Sequence, residues 1–529
     1  MARPASSRTD VLLAAGLALL AVAIYASTLG FDFVGFDDDA YVRHNPVVGR
    51  GLTPDLARYA FSVQIANWHP LTFYSHALDV ELFGLAPAGH HAVNVALHAL
   101  ATALLFGLLR SATGARWRSA FAAALFAVHP LHAEVVAWVS QRKTLLCAVF
   151  GFAALWAWVA WTRTRRRTWL AASVASLGVG LLAKPMLVSV PLLALLLDAW
   201  PLGRVRDAAS LARCALEKLV FVVPVAAVAA ATLFAQRSMD AMAPLGLDAF
   251  LRASLPNAVL GLAWYVGKAV WPVGLAAHYP HPYLPSAGGV PPSALALVVA
   301  LAVVVGASGV AWAARRRAPW LGFGWAWLVV ALLPVLGLVQ VGTQGVADRY
   351  AYVPLVGLFV AAAWGGDALL RALRVPRPAA AALAACVVAA FGVAAHVQAS
   401  HWRSSLALYR RAVDVSPRDV AMLFNLGNAE LARGDVDEAE RLYRRALAIH
   451  PASSPAQLNL AELLRERGRA DDRAESIALY RSVLVARPGN RRARRARGAR
   501  RARAVSASPS RAVGRAGLVA GAVAAVALV

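Results

Sequence analysis

Long apolar stretches are the feature that most restricts how this chain can fold. Runs of roughly 17–25 apolar residues cross a bilayer as helices. We count eleven runs of about this kind: 11–29, 92–110, 119–137, 144–162, 168–183, 186–200, 219–235, 293–314, 319–340, 354–371 and 379–398. With 59% hydrophobic residues, a water-soluble chain would expose too much apolar surface. The sequence therefore predicts an all-α, polytopic membrane domain in residues 1–400, with about eleven transmembrane helices and a retained first helix.

The orientation of the spans follows from where the basic residues fall. Residues 1–400 contain 29 Lys and Arg, and 19 of them share one side if the N-terminus is cytoplasmic. Counting the apolar segment 250–272 as another span would place Arg315, Arg316 and Arg317 outside, so we expect that segment to be re-entrant or interfacial. With eleven spans, everything after residue 398 is predicted to be extracytoplasmic.

The chain changes character after residue 400, where charged amphipathic segments replace the apolar runs. Four landmarks recur at a spacing of 34 residues: Tyr409 and Tyr443, Pro417 and Pro451, Asn425 and Asn459, and Gly434 and Gly468. This is the tetratricopeptide period, with two antiparallel helices per unit. Tyr480 and Pro488 follow 37 residues later, so we expect three inserted residues at a turn within 469–475. We therefore predict tetratricopeptide repeats over residues 401–488.

The net charge of +25 is unevenly distributed. Residues 401–488 hold 14 basic and 12 acidic side chains, whereas the tail, 489–529, holds ten basic and no acidic ones. The tail is rich in Arg and Ala, and nucleic-acid binding is one interpretation of it. Its predicted extracytoplasmic position favours a low-complexity tail that touches anionic lipid, so we expect no nucleic-acid partner.

The remaining polar residues gather on the side opposite the basic loops. The first extracytoplasmic loop, 30–91, carries Asp37, Asp38 and Asp39. The other candidates are His129, His132, Glu134, Arg142, Lys143, Lys184, His281, Asp348, Arg349 and Tyr350. Because ionisable residues at membrane depth are costly, we expect these side chains to be functional.

The acidic triplet suits more than one use. Adjacent carboxylates repel one another, which raises one pKa and prepares that group to accept a proton. Asp37 and Asp38 equally suit a divalent cation, which is the only cofactor the sequence suggests. A solvated cluster of loop charges is the third interpretation.

The histidine loop and the cations point to a ligand other than a metal. His129, His132 and Glu134 resemble a metal site, but Pro130 disrupts the helix that would align them. Hydrogen bonding to a phosphate or sugar, or pinning of the loop, is therefore favoured. The cations are suited to a phosphate headgroup, while each alone is equally suited to anchoring at the membrane interface: Arg142, Lys143, Lys184 and Arg349. Tyr41, Trp68 and Trp138 are suited to stacking on a sugar or seating lipid.

Several segments resemble bacterial members of the transmembrane and tetratricopeptide-repeat containing family, which are similar to the eukaryotic O-mannosyltransferases of that name. The strings that carry the resemblance are FDFVGFDDDAYVRHNPVV, NWHPLTFYSHALDVELFGLAPAGHHAVNVALHAL, HPLHAEVVAWVSQRK, AKPMLVSVPLLALLLDAWPL, AAHYPHP and ADRYAYVPLVGLF. The resemblance covers roughly residues 10–488 and excludes the tail.

The resemblance implies a GT-C class glycosyltransferase in the inner (cytoplasmic) membrane, with its active site and its repeats on the periplasmic side. It implies a polyprenyl-phosphate sugar donor, mannose as the sugar, and a hydroxyl acceptor on a protein Ser or Thr or on a glycan. The acidic first-loop motif of the class corresponds to Asp37 and Asp38. Where bacterial relatives commonly read ERKD, this chain has Gln141 and Thr144 on either side of the two cations.

Two functional hypotheses follow. In the first, a carboxylate of the triplet deprotonates the acceptor hydroxyl, the cations bind the departing phosphate, and the repeats present the acceptor or another protein partner. In the second, the chain is a catalytically inactive membrane-anchored scaffold whose repeats bind periplasmic partners.

Overall fold

The computed structural model describes residues 7–63, 68–238, 246–340 and 342–494. The predicted tail lies, from residue 495 onward, outside the described residues. The described chain is almost entirely helical, which confirms the predicted all-α class, and it divides into two compact units. The first extends to Leu275 and includes Ser293–Gly342 and Val346–Ser404. The second combines Ala276–Pro292 and Thr343–Gly345 with the chain from Ser405.

The first unit is a bundle of apolar helices. Its helices are α1 (Arg8–Tyr25), α2 (Pro54–Phe61), α3 (Pro70–Phe83), α4 (Pro87–Thr113), α5 (Arg116–Val128), α6 (Ala133–Ala137), α7 (Arg142–Thr164), α8 (Arg167–Leu181), α9 (Val190–Ala199), α10 (Ala208–Leu216), α11 (Val222–Ser238), α12 (Leu247–Ala249), α13 (Leu255–Val270), α14 (Ala294–Ala314), α15 (Pro319–Leu332), α16 (Leu355–Ala372) and α17 (Arg377–Ser400). Short helical turns connect them, among them Asp39–Arg43, Pro130–His132, Val139–Gln141, Pro185–Ser189 and Asp348–Ala351.

Each predicted apolar run falls on a helix, and the chain is a multi-pass membrane protein. Among the described residues, seven helices are long and apolar enough to cross a membrane: Arg8–Gly30, Pro87–Thr113, Val139–Thr164, Ala208–Ala235, Ala294–Ala313, Leu355–Ala372 and Arg377–Ser400. Arg116–Val128 and Pro130–Ala137, bent by 53°, make an eighth if they form one span. Pro185–Ala199 and Pro319–Val335 are apolar but shorter, and α8 has 15 residues. Length and composition thus support seven or eight of the eleven predicted spans, and the larger number stays a prediction.

The first helix is fixed at its N-terminal end by hydrogen bonds to two other helices. Ser7 caps α1 in a reciprocal capping box with Asp10. The Asp10 carboxylate accepts hydrogen bonds from Arg110, 3.2 Å away at the end of α4, and from Arg116, 2.7 Å away at the start of α5. Three helix ends that carry basic residues therefore meet at one side of the bundle.

The second unit contains the repeats. Its helices are α18 (Ser405–Val415), α19 (Val420–Ala432), α20 (Val436–Ile449), α21 (Ser454–Arg467) and α22 (Ala470–Ala486). Gly434 and Gly468 have φ values of +89° and +73° and end the first helix of each pair. Helices α19 and α20 approach closely at Gly427, where a Cβ atom would lie 2.6 Å from the Tyr443 ring. The expectation that the three inserted residues lie at a turn is wrong, because α22 has 17 residues where α20 has 14, so the insertion lengthens a helix.

Two loops pack with the repeats. Tyr279–Pro280 pairs with Gln344–Val346 in a two-stranded sheet. His278 Nδ1 lies 2.6 Å from Oδ2 of Asp419, the N-cap of α19, and its Nε2 lies 3.1 Å from the Thr343 hydroxyl. A single histidine therefore joins both loops to the first repeat.

Candidate functional site

The three adjacent carboxylates have different surroundings. Asp37 keeps 35% of its side chain exposed, and its Oδ2 lies 3.3 Å from Lys143 Nζ at the start of α7. Asp39 stays within its own turn, 3.2 Å from His44 Nδ1 and 3.8 Å from Arg43. Asp37 is therefore the carboxylate of the triplet that is both accessible and in contact with a cation of another element.

Asp38 is buried and holds the loop in place. Its Oδ1 accepts hydrogen bonds from the Ser140 N–H at 2.9 Å and the Ser140 hydroxyl at 2.5 Å, and its Oδ2 accepts one from the Val34 N–H at 3.0 Å. Burial raises the pKa of Asp38 to about 6, with the charge of Asp37 a smaller contributor. Three donors thus occupy the oxygens of Asp38, whereas the carboxylate of Asp37 keeps accessible surface.

Lys143 lies against two aromatic rings. Its Nζ is 4.2 Å from the ring centroid of Tyr41 and 5.9 Å from that of Trp138. Tyr41 in turn bonds His69 Nδ1 through its hydroxyl at 3.2 Å and stacks on Phe73. The lysine is thus fixed between the first loop and α7, with its ammonium directed at Asp37.

Arg349 pairs with Glu134 across two elements. The guanidinium lies 2.8 Å from the Glu134 carboxylate, which also accepts a hydrogen bond from the Arg349 N–H at 2.9 Å. The guanidinium carbon lies 5.7 Å from the Trp138 ring centroid and 5.1 Å from that of Tyr350. Lys143 and Arg349 therefore share Trp138.

Lys184 completes the group of cations. Its Nζ donates to the Thr144 hydroxyl at 3.0 Å and lies 5.8 Å from the Tyr350 ring centroid. Burial, with smaller contributions from the charges of Lys143 and Arg349, lowers its pKa to about 7. In the part of the chain that the structure describes, no carboxylate forms an ion pair with Lys184. We call Lys143, Lys184 and Arg349 the cation cluster.

Arg142 is the predicted cation that the structure separates from the others. It is fully buried and lies 2.6 Å from the Asp79 carboxylate, and it donates to Asn94, Ser75 and the His90 carbonyl. With its donors directed at internal acceptors, Arg142 joins α3 and α4 to α7. These contacts support a structural role, and substrate binding by Arg142 stays a prediction.

The two loop histidines lie in the helix core. His129 bonds the Ala269 carbonyl at 3.1 Å, and His132 bonds the Phe126 carbonyl at 2.8 Å. Both are fully buried, and aromatic rings surround them, including Phe359. These contacts hold the loop in place, and binding of a phosphate or sugar by the two histidines stays a prediction.

The last predicted residues divide between the two units. Asp348 is buried, and Tyr350 supplies the ring shared by Arg349 and Lys184. His281 belongs to the second unit, where its Nδ1 accepts a hydrogen bond from the Tyr283 N–H at 3.2 Å. Tyr350 therefore lies beside the cation cluster, whereas His281 belongs to the same unit as the repeats.

The divalent cation considered for the acidic triplet stays a prediction. Among the described residues, two groups of three His, Cys, Asp or Glu side chains lie close enough together to hold an ion. Neither group contains Asp37 or Asp38, and the oxygens of Asp38 already accept three hydrogen bonds.

Two residues of this site carry no charge, and sequence reasoning missed them. Ser140 fixes Asp38, and Thr144 accepts the hydrogen bond of Lys184 while donating to Gln141 at 2.7 Å. The available signal was their position beside two cations at the start of an apolar run. Hydroxyl groups there need partners, since the membrane core offers none.

Comparison with known proteins supports both parts of this architecture. A family model described as Tetratricopeptide repeat matches residues 393–454, which confirms the predicted repeats. Protein O-mannosyl-transferase Tmtc1 of Drosophila melanogaster is 36% identical over 158 residues, covering 28% of this chain and 18% of the fly protein. Protein O-mannosyl-transferase Tmtc2 of the same organism is 33% identical over 195 residues, covering 34% of this chain and 21% of that protein.

A mouse relative aligns over a longer region. Protein O-mannosyl-transferase TMTC4 of Mus musculus is 25% identical over 479 residues, covering 79% of this chain and 64% of the mouse protein. The chain is similar to protein O-mannosyl-transferases of animals. It spans about a fifth of the length of the two fly relatives, so what those proteins do as wholes comes to this chain only as a proposal.

Proposed function

We propose that this protein is a GT-C type membrane glycosyltransferase. It transfers a sugar from a polyprenyl-phosphate donor to a hydroxyl acceptor, on a protein Ser or Thr or on a glycan, at the outer face of the membrane. Mannose is the proposed sugar because the relatives are named O-mannosyl-transferases. The observation that carries the proposal is the exposed carboxylate of Asp37 beside the cation cluster.

The chemistry requires a base and a place for negative charge. Asp37 takes the proton of the acceptor hydroxyl as its oxygen forms a bond to C1 of the sugar. The bond between C1 and the phosphate oxygen breaks, and the lipid phosphate leaves with that electron pair. Attack opposite the leaving group inverts the configuration at C1. Cations already fixed by packing stabilise the departing phosphate without reorganising, which makes them effective in a site of low polarity.

Charge balance indicates why a phosphate fits here. Lys143 is paired with Asp37 and Arg349 with Glu134, so these four side chains are neutral together. Lys184 brings one further positive charge when it is protonated, and a phosphodiester carries one negative charge. The donor phosphate therefore supplies the counter-charge that the described residues do not provide.

The surrounding rings suit the remainder of the donor. Trp138 and Tyr350 each contact Arg349 and one lysine of the cation cluster, so aromatic surface lies beside every proposed phosphate ligand. Trp138 is buried, so the partly exposed ring of Tyr350 is the one proposed to stack on the C–H face of a pyranose, while the polyprenyl chain remains in the bilayer. The repeats are proposed to hold the acceptor or another protein partner on the periplasmic side.

The decisive experiment is sugar transfer by purified protein in proteoliposomes. Radiolabelled polyprenyl-phosphate mannose and a periplasmic extract serve as substrates, with other lipid-linked sugars tested in parallel. Asp37→Asn should abolish transfer while the protein still folds in the membrane. Asp39→Asn is the matched control and should retain activity, because its contacts stay within its own turn.

The competing proposal is the inactive scaffold, which the confirmed repeats favour. It expects no transfer from any lipid-linked sugar, and partner binding that survives Asp37→Asn but disappears when residues 401–488 are deleted. Retained transfer in Asp37→Asn would contradict the assignment of the base.

A further inference from the structure

A second polar cluster lies within the first unit, between α3 and α4. His76 and Asp79 are three residues apart on α3, so they share one helical face. His90 lies in the first turn of α4. One ligand atom from each of the three residues falls within 4.8 Å of the others, and all three residues are buried.

The contacts of His90 leave a lone pair facing a carboxylate. Its Nε2 lies 3.2 Å from the Gly84 carbonyl, which only accepts hydrogen bonds, so we assign the ring proton to Nε2. Nδ1 of the neutral ring then directs its lone pair at Asp79 Oδ2, 3.3 Å away. Two acceptors at this distance repel each other unless a second ring proton or a metal cation lies between them.

His76 adds a third acceptor without a partner. Neither of its ring nitrogens has a hydrogen-bond partner among the described residues, although the side chain has no exposed surface. A buried polar group without a partner is unfavourable. Its ring centroid lies 6.2 Å from that of His90, so the unpaired imidazole borders the same small space.

Arg142 holds the carboxylate from the other side. Its guanidinium lies 2.6 Å from Asp79 Oδ2 and is itself fixed by Asn94 and Ser75. Ligating carboxylates in metal sites commonly have such an outer hydrogen-bond donor, which orients them. The positive charge of Arg142 also weakens binding of a cation, so we expect an exchangeable ion and not one buried permanently.

We propose that His76, Asp79 and His90 form a binding site for a transition-metal ion of the Zn²⁺ class. Two imidazoles and one carboxylate are ligands that Zn²⁺ and Co²⁺ accept, with a fourth position left to water. Tetrahedral binding places ligand atoms about 3.3 Å apart, so the side chains close by about 1–1.5 Å through small rotations. The ion would join α3 to α4 and thereby stiffen the first loop, whose Tyr41 packs on α3.

Metal binding by the full-length protein in detergent tests this site without any transfer assay. Protein dialysed to equilibrium against a fixed concentration of free Zn²⁺ should hold about one ion per chain in excess of the buffer, measured by mass spectrometry of the metal. Co²⁺ should give visible d–d absorption bands typical of four-coordinate nitrogen and oxygen ligands. Added Zn²⁺ should raise the unfolding temperature, and a chelator should reverse the rise.

Substitutions identify the ligands. His76→Asn and His90→Asn should each lose the retained ion, whereas His91→Asn, at the next position on α4 and outside the cluster, should keep it. His76→Cys should bind Co²⁺ with an added sulfur-to-cobalt charge-transfer band, which only a ligand at that position produces. This variant keeps the test decisive if the asparagine variants fold poorly.

The outcomes separate this inference from the proposed function. Wild-type protein that retains no Zn²⁺ and gives no Co²⁺ bands overturns the site and shows that water satisfies these side chains. Equal retention in His76→Asn overturns it as well. Asp37→Asn should bind metal as the wild type does, because Asp37 lies outside the cluster, so loss of transfer and loss of metal are independent results.

Discussion

Replacing Lys184 by arginine should remove a pH dependence of donor binding that the wild-type protein shows. Burial, with the neighbouring cations, lowers the pKa of Lys184 from its usual 10.5 to about 7. A phosphodiester keeps one negative charge across neutral pH, so the titration of the lysine alone changes the attraction. Donor affinity should therefore be highest below pH 7 and should fall as pH rises and the ammonium loses its proton.

The magnitude follows from the fraction of protonated lysine. About half of the Lys184 side chains are charged at pH 7 and about a tenth at pH 8, so the donor KM should rise about fivefold between these values and about tenfold from pH 8 to pH 9. Initial rates of mannosyl transfer at several donor concentrations, from pH 6 to pH 9, measure this. Lys184→Arg stays charged throughout and should give a nearly constant KM. A constant KM in the wild type, or the same slope in the arginine variant, would refute the reasoning.

As pH rises, the free energy of unfolding should increase while the affinity for the donor decreases. Because the folded-state pKa of Lys184 lies below the unfolded value, the unfolded chain binds the additional proton between pH 7 and pH 10.5. The free energy of unfolding therefore rises with pH across this window, by up to about 5 kcal/mol for the full shift. At pH 7, Lys184→Met should raise the unfolding temperature and weaken donor binding. Such a gain in stability at the expense of binding is expected for a residue that serves function and not folding.

Three further substitutions test charge pairing and packing. Arg142→Met should leave the Asp79 carboxylate buried without its partner and lower the free energy of unfolding by about 3–5 kcal/mol; an unchanged unfolding temperature in detergent would contradict this. Gly427→Ala should introduce a Cβ that clashes with the Tyr443 ring and lower the free energy of unfolding of the repeats by about 1–3 kcal/mol. Limited proteolysis should then cleave the repeats faster while the membrane domain stays intact. Thr144→Asp should give Lys184 a carboxylate partner. The donor KM at pH 7 should then rise and its pH profile should flatten, as measured by initial rates of mannosyl transfer.

The repeats were predictable because their characteristic residues recur at a fixed spacing in the sequence. Landmarks 34 residues apart located the helix pairs, and the turn glycines Gly434 and Gly468 have the positive φ that such turns require. The inserted residues could not be placed in the same way. A helix and a turn accept three extra residues equally well in sequence, and only the start of α22 at Ala470 decides between them.

The number of spans shows where the apolar signal becomes ambiguous. A run such as 168–183 predicts a helix, and α8 forms there, but 15 residues rise only about 22 Å, less than the hydrocarbon thickness. In a bundle, such a helix is completed by a neighbouring turn or is shielded by longer helices. The apolar runs therefore predict the positions of the helices more reliably than they predict which helices cross the membrane.

The acidic triplet shows how burial separates residues that look alike in sequence. Asp37, Asp38 and Asp39 are chemically identical and adjacent, yet Asp38 faces the turn that carries Ser140 and the other two do not. Which of three consecutive loop residues faces inward depends on backbone angles that no side chain dictates. The sequence identified the loop, and only the packing distinguishes a positioning carboxylate from an accessible one.

The same reasoning explains the different roles of Arg142 and Lys143. Consecutive residues on a helix point about 100° apart, so at the start of α7 one cation faces α3 and α4 while the next faces the first loop. Arg142 meets Asp79 there, and its charge is compensated inside the protein. Lys143 meets Asp37, whose carboxylate is still accessible to a substrate. Positive charges in a sequence thus identify candidates for phosphate binding, but a charge is available to a ligand only where the fold leaves it uncompensated. By that criterion Lys184, which has no ion pair among the described residues, is the cation on which donor binding should depend most.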